Sequence, residues 1–193
     1  MKIPVFVHIP KTAGNSVRAA LSNKLEGLID IGHSTVQHQK LSDDRYFSFC
    51  FVRHPLTRLR SAFYHLVDVK SFGGAQTNQF HAKREALRQR YGDDFLAFIV
   101  DRGYAKYDIA HLYPQTYWTH SGRRQVVDFI GRLESIDLDW QRLSKALGAD
   151  LPQLERRNPT LNIKYIKEDD LPPTAWTAAR DFYGADFFHL EYD

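Results

Sequence analysis

Hydrophobic and polar residues follow one another along the chain in blocks that predict alternating strands and helices. Apolar runs rich in β-branched or aromatic residues predict buried strands at residues 3–9, 28–31, 47–52 and 125–130. Helical spacing predicts helices at residues 16–24, 56–69, 79–91, 95–100 and 137–147, and a last helix from about residue 174. This alternation predicts an α/β fold, a doubly wound parallel β-sheet flanked by helices in three α/β/α layers.

Composition and charge favour a single domain over residues 1–193. The 193 residues are 43% hydrophobic, which is enough for one buried core. The one cysteine, Cys50, lies in an apolar run, so a disulfide framework is excluded. A net charge of +3 suits an anionic ligand but is too small for the basic surface of a nucleic-acid-binding protein. With no signal-peptide pattern and no apolar stretch of about 18 residues, we expect a cytoplasmic protein without a transmembrane segment.

Three polar residues, Lys11, His33 and Arg53, each follow a predicted strand. Because the carboxyl ends of parallel strands meet at one edge of the sheet, where open α/β folds bind ligands, we expect these side chains to converge. The loop at residues 10–16 joins the first strand to the first helix and contains a lysine, small residues and hydroxyls. N–H groups and the positive end of a helix dipole favour phosphate or sulfate at such a place. The loop is therefore predicted to bind an anion.

The position of the glycine in this loop distinguishes it from the triphosphate-binding loop of kinases. That loop has the pattern Gly-x-x-x-x-Gly-Lys-[Ser/Thr]. Residues 10–16 instead read Pro-Lys-Thr-Ala-Gly-Asn-Ser, with one glycine and the lysine near the front. A nucleotide-dependent kinase of the same broad fold is therefore the weaker alternative, together with a non-catalytic nucleotide-binding protein.

Two segments resemble the motifs of a known enzyme family. Residues 8–16, His-Ile-Pro-Lys-Thr-Ala-Gly-Asn-Ser, resemble the 5′-phosphosulfate loop of sulfotransferases that use 3′-phosphoadenosine 5′-phosphosulfate (PAPS), in particular the carbohydrate and heparan/uronyl 2-O-sulfotransferase-like branch. Residues 51–64, Phe-Val-Arg-His-Pro-Leu-Thr-Arg-Leu-Arg-Ser-Ala-Phe-Tyr, resemble its 3′-phosphate motif. Weaker similarities occur at residues 32–35, 113–115, 129–134, 158–162 and 183–188. Asn15 and His54 depart from the family pattern, which commonly has Thr or Ser and Asp or Glu there.

The resemblance implies a P-loop-like fold with PAPS as co-substrate, no metal, and a hydroxyl-bearing acceptor that is a saccharide. It implies that Arg53 and Ser61 bind the 3′-phosphate, the arginine through its forked donors. It implies that the 5′-phosphosulfate is bound by a run of six loop residues: Lys11, Thr12, Ala13, Gly14, Asn15 and Ser16.

The chemistry of sulfuryl transfer assigns further roles. Negative charge develops on the leaving oxygen and calls for a fixed cation, for which Lys11 is the candidate. The attacking hydroxyl needs a base that is neutral near pH 7, and His33 is the leading candidate by position and resemblance, with His38 and His111 as alternatives. His111 and Gln115 lie in an aromatic segment, residues 111–118, that together with a polar loop at 71–78 is expected to flank the acceptor. The sequence does not identify the acceptor.

Overall fold

The computed structural model describes residues 2–22, 24–68, 77–155 and 171–193. The described residues form two compact units, one within Met1–His54 and Gln115–Pro159 and the other within Pro55–Pro114 and Thr160–Asp193. The end of the predicted helix 56–69, most of the predicted loop 71–78 and the similarity at 158–162 lie outside the described residues. Within the described ranges, every helix is too short or too polar to cross a bilayer.

The first unit is built on a four-stranded parallel sheet. Its strands are β1 (Ile3–Phe6), β2 (Ile29–Asp30), β3 (Tyr46–Val52) and β6 (Phe129–Arg132), and a separate antiparallel pair consists of β4 (His120–Ser121) and β5 (Arg124–Gln125). The spatial order in the sheet is β2-β1-β3-β6. Because β1 has β2 on one side and β3 on the other, the chain order reverses at β1. The loops after β1 and β3 therefore flank the crevice in which such sheets bind ligands.

Nine helical segments accompany the strands in the described ranges. In chain order they are α1 (Gly14–Leu21), α2 (Pro55–Val67), α3 (Asn78–Tyr91), α4 (Phe95–Val100), α5 (Gly103–Lys106), α6 (Thr116–Thr119), α7 (Ile136–Leu147), α8 (Pro173–Phe182) and α9 (Gly184–His189). Short 3₁₀ turns lie at Ala110–Leu112 and Leu133–Ser135. The parallel sheet with flanking helices confirms the predicted α/β class.

The core of the first unit lies between the sheet and two helices. Phe49 and Phe51 lie two positions apart on β3, so their side chains point to the same face of the sheet, and both are buried. Apolar side chains of α1 and α7 cover this face. On each helix they are three or four positions apart, and residues at that spacing lie on one side of a helix. The members of this cluster include Phe6, Val17, Leu21, Phe49, Phe51, Trp140 and Leu143. Each fully buried large side chain contributes about 1.5–3 kcal/mol, which holds the ends of β1 and β3 in fixed positions.

The second unit has its own helical core and a buried arginine. Arg58 of α2 is 1% exposed, and its guanidinium donates to the carbonyls of His111, at 3.1 Å, and of Tyr113. The hydroxyl of Tyr183 donates to the carbonyl of Leu112 at 2.7 Å. Burial lowers the pKa of Arg58. These bonds fix the backbone of residues 111–113 within this unit.

The predicted strand 125–130 is wrong, because the chain forms two separate strands there. The N–H of Val126 donates to the carbonyl of Thr119 at 2.8 Å, which continues the β4–β5 pair. The carboxylate of Asp128 accepts the N–H and the hydroxyl of Ser48, each at 2.8 Å. The Asp128 side chain thus takes the place of a strand partner for the N–H of Ser48. The backbone ladder between β3 and β6 begins one residue later, with Phe49 opposite Phe129.

The first strand is shorter than the predicted 3–9, but the chain stays attached to the sheet beyond Phe6. The N–H of Val7 donates to the carbonyl of Phe49 and the N–H of His8 to that of Gly32, each at 2.9 Å. The segment is therefore extended and bonded on both sides up to the start of the loop.

Candidate active site

The loop between β1 and α1 has the backbone shape of an anion-binding site. Lys11 and Ala13 have positive φ values of 70° and 67°, and such turns form concave surfaces of N–H groups that bind anions. α1 then begins two residues earlier than predicted, with the N–H of Val17 donating to the carbonyl of Ala13 at 3.1 Å. The first-turn N–H groups, at Gly14 and Asn15, have no helical carbonyl to bond. The loop and the helix dipole therefore favour an anion at the same place.

The polar side chains of this loop differ in exposure. Thr12 is 2% exposed, and its hydroxyl donates to the carbonyl of Ile9 at 2.9 Å. Ser16 is 6% exposed in the first turn of α1, whereas Asn15 is exposed to solvent. The hydroxyl of Thr12 therefore stabilises the turn itself, and the contact of this residue with a ligand stays a prediction.

His8 lies directly against Gly14 of the loop. A β-carbon at position 14 would lie 1.9 Å from Cδ2 and from Nε2 of the His8 ring, so only glycine fits there. The His8 side chain is 8% exposed, and its Nδ1 has no hydrogen-bond partner among the described residues. Burial, followed by the charges of His33 and Arg18, lowers the pKa of His8 to about 3. His8 is therefore neutral near pH 7 and adds no charge beside the loop.

The ends of β1 and β3 bring the cations Lys11 and Arg53 into electrostatic contact. Burial, and then the charge of Arg53, lower the pKa of Lys11 to about 8. Within the part of the chain that the structure describes, no carboxylate forms an ion pair with Lys11. A positive charge near a second one makes the charged form of each group less favourable. An anion bound between Lys11 and Arg53 would offset this repulsion and favour the charged form of both.

Side-chain hydrogen bonds fix the backbone directly after β3. Gln115 is 0% exposed; its Oε1 accepts the N–H of Arg53 at 2.9 Å, and its Nε2 donates to the carbonyl of Arg53 at 2.7 Å. The N–H of His54 donates to Oε1 of Glu134 at 2.7 Å. Gln115 therefore fixes the backbone of Arg53. Its contact with an acceptor stays a prediction.

His33 follows β2 and lies beside His8, with ring centroids 4.8 Å apart and an interplanar angle of 66°. Its carbonyl accepts Nε1–H of Trp118 at 2.9 Å, while its side chain is exposed. Partial desolvation of the ring, and then the charge of Arg18, lower the pKa of His33. Arg18 is itself paired with Asp30 through hydrogen bonds of 2.5 and 3.0 Å. His33 is thus neutral near pH 7 and able to accept a proton.

The remaining predicted site residues are Ser61, His111 and His38. Ser61, in α2 of the second unit, is half-buried, and its contact with a 3′-phosphate stays a prediction. In the same unit, His111 is 8% exposed and its ring stacks on that of His65 at 5.3 Å. His38 is exposed in the first unit. The described ranges contain no group of three or more His, Cys, Asp and Glu side chains that could hold a metal ion.

The sequence analysis assigned no individual role in this site to His8, Trp118 or Glu134. A signal existed for His8, because a titratable residue within a buried strand run needs an explanation. Trp118 and Glu134 contact residues 85 and 80 positions away. No local pattern in the sequence reports contacts over such separations.

Comparisons with known proteins identify the family of the chain. A family model described as Sulfotransferase family matches residues 5–193, which include both motifs and every predicted site residue. No curated protein and no solved structure matches the chain. A model that covers nearly the whole chain shows the family. The chain therefore belongs to the sulfotransferase family and is an enzyme that transfers a sulfuryl group to a hydroxyl-bearing acceptor.

Proposed function

We propose that this sulfotransferase uses PAPS as donor and sulfates a hydroxyl of a saccharide. The observation that carries the choice of donor is the placement of Lys11 near Arg53. Burial, and then the charge of Arg53, lower the pKa of Lys11 to about 8. PAPS bears anionic groups at both its 5′ and 3′ ends, so it matches two separate cations at the ends of neighbouring strands. The loop at 10–16 binds the 5′-phosphosulfate, and Arg53, with Ser61, binds the 3′-phosphate.

The residues of the loop suit this donor. The positive φ at Lys11 and Ala13 and the first turn of α1 supply N–H donors. The ring of His8 leaves room only for a glycine at position 14, so the backbone can approach a ligand closely.

In the proposed reaction His33 is the base. Its pKa is lowered, so its neutral ring accepts the proton of the acceptor hydroxyl as that oxygen forms a bond to sulfur. The bond between sulfur and the bridging oxygen of the 5′-phosphate breaks, and the electron pair stays on that oxygen. Lys11 stabilises the charge there, and the nucleotide leaves as 3′-phosphoadenosine 5′-phosphate (PAP).

A saccharide acceptor is supported by the resemblance at the two motifs and by an exposed aromatic ring. Tyr117 is 54% exposed in α6, next to Trp118, whose indole binds the carbonyl of His33. Aromatic rings at the mouth of a site offer a flat apolar face on which a sugar can stack. A screen of hydroxyl acceptors with radiolabelled PAPS, comparing saccharides with phenols, tests this choice.

Calorimetric titration with PAP tests the donor. We expect PAP to bind and Arg53→Met to weaken binding by roughly tenfold to hundredfold, since hydrogen bonds to charged groups contribute about 1.5–3 kcal/mol. Arg45→Met is the matched control, because Arg45 is exposed and paired with Asp43. Absence of PAP binding, or tighter binding of ATP with Mg²⁺, would overturn the proposal in favour of the kinase alternative.

Transfer assays test the base. His33→Ala should lower kcat by about a hundredfold or more, the usual contribution of a general base, with PAP affinity retained. His38→Ala is the control, since His38 is exposed and was the alternative base in the same unit. An unchanged rate in His33→Ala would remove His33 from this role.

A further inference from the structure

One short segment holds the backbone of two proposed site residues at once. Gln115 bonds both backbone groups of Arg53, at 2.9 and 2.7 Å, and three residues later Trp118 donates to the carbonyl of His33 at 2.9 Å. Both side chains are 0% exposed. We propose that Gln115 and Trp118 are positioning residues that set Arg53, the 3′-phosphate anchor, and His33, the base, at a fixed separation.

The chemistry of Gln115 suits this task. A primary amide presents a donor and an acceptor side by side, as the backbone of a neighbouring strand does. The ladder between β3 and β6 ends with Val52 opposite Arg132, and Gln115 extends the bonding of β3 by one more residue. The backbone of Arg53, from which the guanidinium projects, is thereby fixed. Loss of the amide would leave two polar backbone groups without these partners.

Trp118 acts in the same way on His33. The indole Nε1–H can only donate, and the buried ring has no freedom to turn away from the carbonyl it binds. This bond restrains the backbone of a histidine whose own side chain is exposed. The ring of His33 then lies against His8, at 4.8 Å between centroids.

The helix geometry links the two contacts. The N–H of Trp118 donates to the carbonyl of Gln115 at 3.0 Å, so both residues lie in one turn. A shift of that turn therefore moves Arg53 and His33 together. Misplacement of reacting groups by about 1 Å can slow a reaction by roughly a hundredfold. The inference rests on the proposed function, because it assigns consequences for donor binding to Gln115 and for proton transfer to Trp118.

Two substitutions separate these consequences, and the chain offers matched controls. Gln115→Met and Trp118→Phe remove the hydrogen bonds and keep most of the side-chain volume. Gln125→Met removes one amide bond of an exposed glutamine, from Nε2 to the carbonyl of Val127 at 2.7 Å. Trp140→Phe removes a comparable indole bond, from Nε1 to the carbonyl of Pro152 at 2.9 Å.

The expected results differ between the two variants. Gln115→Met should weaken PAP binding about tenfold, whereas Trp118→Phe should keep PAP affinity within about twofold and lower kcat about tenfold. The controls should lose stability only. NMR of the ligand-free proteins gives a second readout: the Arg53 Nε–H signal should move in Gln115→Met, and the His33 ring signals in Trp118→Phe. If these signals move no more than in the controls, the inference is overturned, whether or not the wild type binds PAP.

A third variant tests the amide through rescue by pH. In Gln115→Glu a neutral carboxylic acid can donate and accept as the amide does, while a carboxylate can only accept. Burial raises the pKa of such a carboxyl group. PAP affinity relative to the wild type should therefore recover as the pH is lowered. A ratio that stays constant with pH would show that Gln115 does not act through its bond to the Arg53 carbonyl.

Discussion

The imidazole of His8 occupies the space in which a side chain at position 14 would begin. A β-carbon on Gly14 would lie 1.9 Å from two atoms of that ring. The ring is stacked on Phe6, at 5.8 Å between centroids, and the backbone of His8 is bonded to Gly32, so it has little room to move. The contact between His8 and Gly14 therefore helps to determine the shape of the anion loop.

Gly14→Ala should distort the loop. Inserting a methyl group into a packed site costs about 1–3 kcal/mol, so we expect the free energy of unfolding to fall by that amount. PAP binding should weaken as well, because the first turn of α1 must shift away from the His8 ring. Denaturant unfolding and calorimetric titration measure the two effects.

The control for this substitution is Gly184→Ala, at a position where nothing lies within 4 Å of an added β-carbon. That change should be nearly neutral. The double substitution His8→Ala with Gly14→Ala should recover part of the stability lost in Gly14→Ala, because the clash is gone. Unchanged stability and PAP affinity in Gly14→Ala would show that the loop adapts without cost.

The protonation of Lys11 should control donor binding above neutral pH. Its pKa in the free protein is lowered to about 8, against about 10.4 for an ordinary lysine. PAP binds to the protein in which Lys11 is charged, and bound PAP raises the pKa of Lys11. Below a pH of about 8, the Kd for PAP should therefore not depend on the protonation of Lys11. Above it, the Kd should rise by up to about tenfold per pH unit. Titrations with PAP between neutral and alkaline pH measure this slope.

Lys11→Arg is the matched variant for this pH dependence. Arginine stays charged throughout the range, so the variant should bind PAP with an almost flat pH profile even if its affinity is lower. A slope that persists in Lys11→Arg would assign the titration to another group.

The elements that the sequence predicted well are those defined by local patterns. The apolar runs at β1 and β3 and the helical spacing of α2 were sufficient to predict a parallel sheet whose strand ends carry Lys11, His33 and Arg53. The charge of Arg53 contributes, after burial, to the lowered pKa of Lys11, in agreement with a placement of these two side chains near each other. Convergence follows from topology alone, because parallel strands end at one edge.

The elements that the sequence could not predict depend on side chains paired over long separations. The carboxylate of Asp128 interrupts the predicted strand 125–130 by bonding Ser48, which is 80 positions away. The sequence places Gln115 among aromatic residues but does not show that its amide bonds Arg53, which is 62 positions away. Polarity and spacing show that a side chain can form hydrogen bonds, but only the tertiary structure selects the partner.

Acid should destabilise the protein through His8. The pKa of His8 is lowered to about 3 in the folded state, and it is about 6.5 in the unfolded chain. Between these values the unfolded state binds a proton that the folded state does not. The free energy of unfolding should therefore fall, as the pH drops below about 6.5, by up to about 1.4 kcal/mol per pH unit.

Denaturant unfolding of His8→Asn at pH values of about 7 and 5 measures this contribution, because the variant lacks the titrating ring. The wild type should lose more stability between the two values than His8→Asn does. His38→Asn is the control, since His38 is exposed and the substitution should leave the slope unchanged. Equal slopes in the wild type and His8→Asn would mean that His8 becomes protonated without unfolding.

The ion pair between Arg18 and Asp30 should tune the basicity of His33 more than it stabilises the fold. Arg18 lowers the pKa of His33 and Asp30 raises it, so Arg18→Met should raise this pKa and Asp30→Asn should lower it. Each change should cost at most about 1 kcal/mol, because both side chains are partly exposed. NMR titration of the His33 ring measures the shifts, with Arg45→Met and Asp43→Asn as controls from an exposed pair. Shifts of the same sign in Arg18→Met and Asp30→Asn would contradict an electrostatic origin and indicate a structural change around His33.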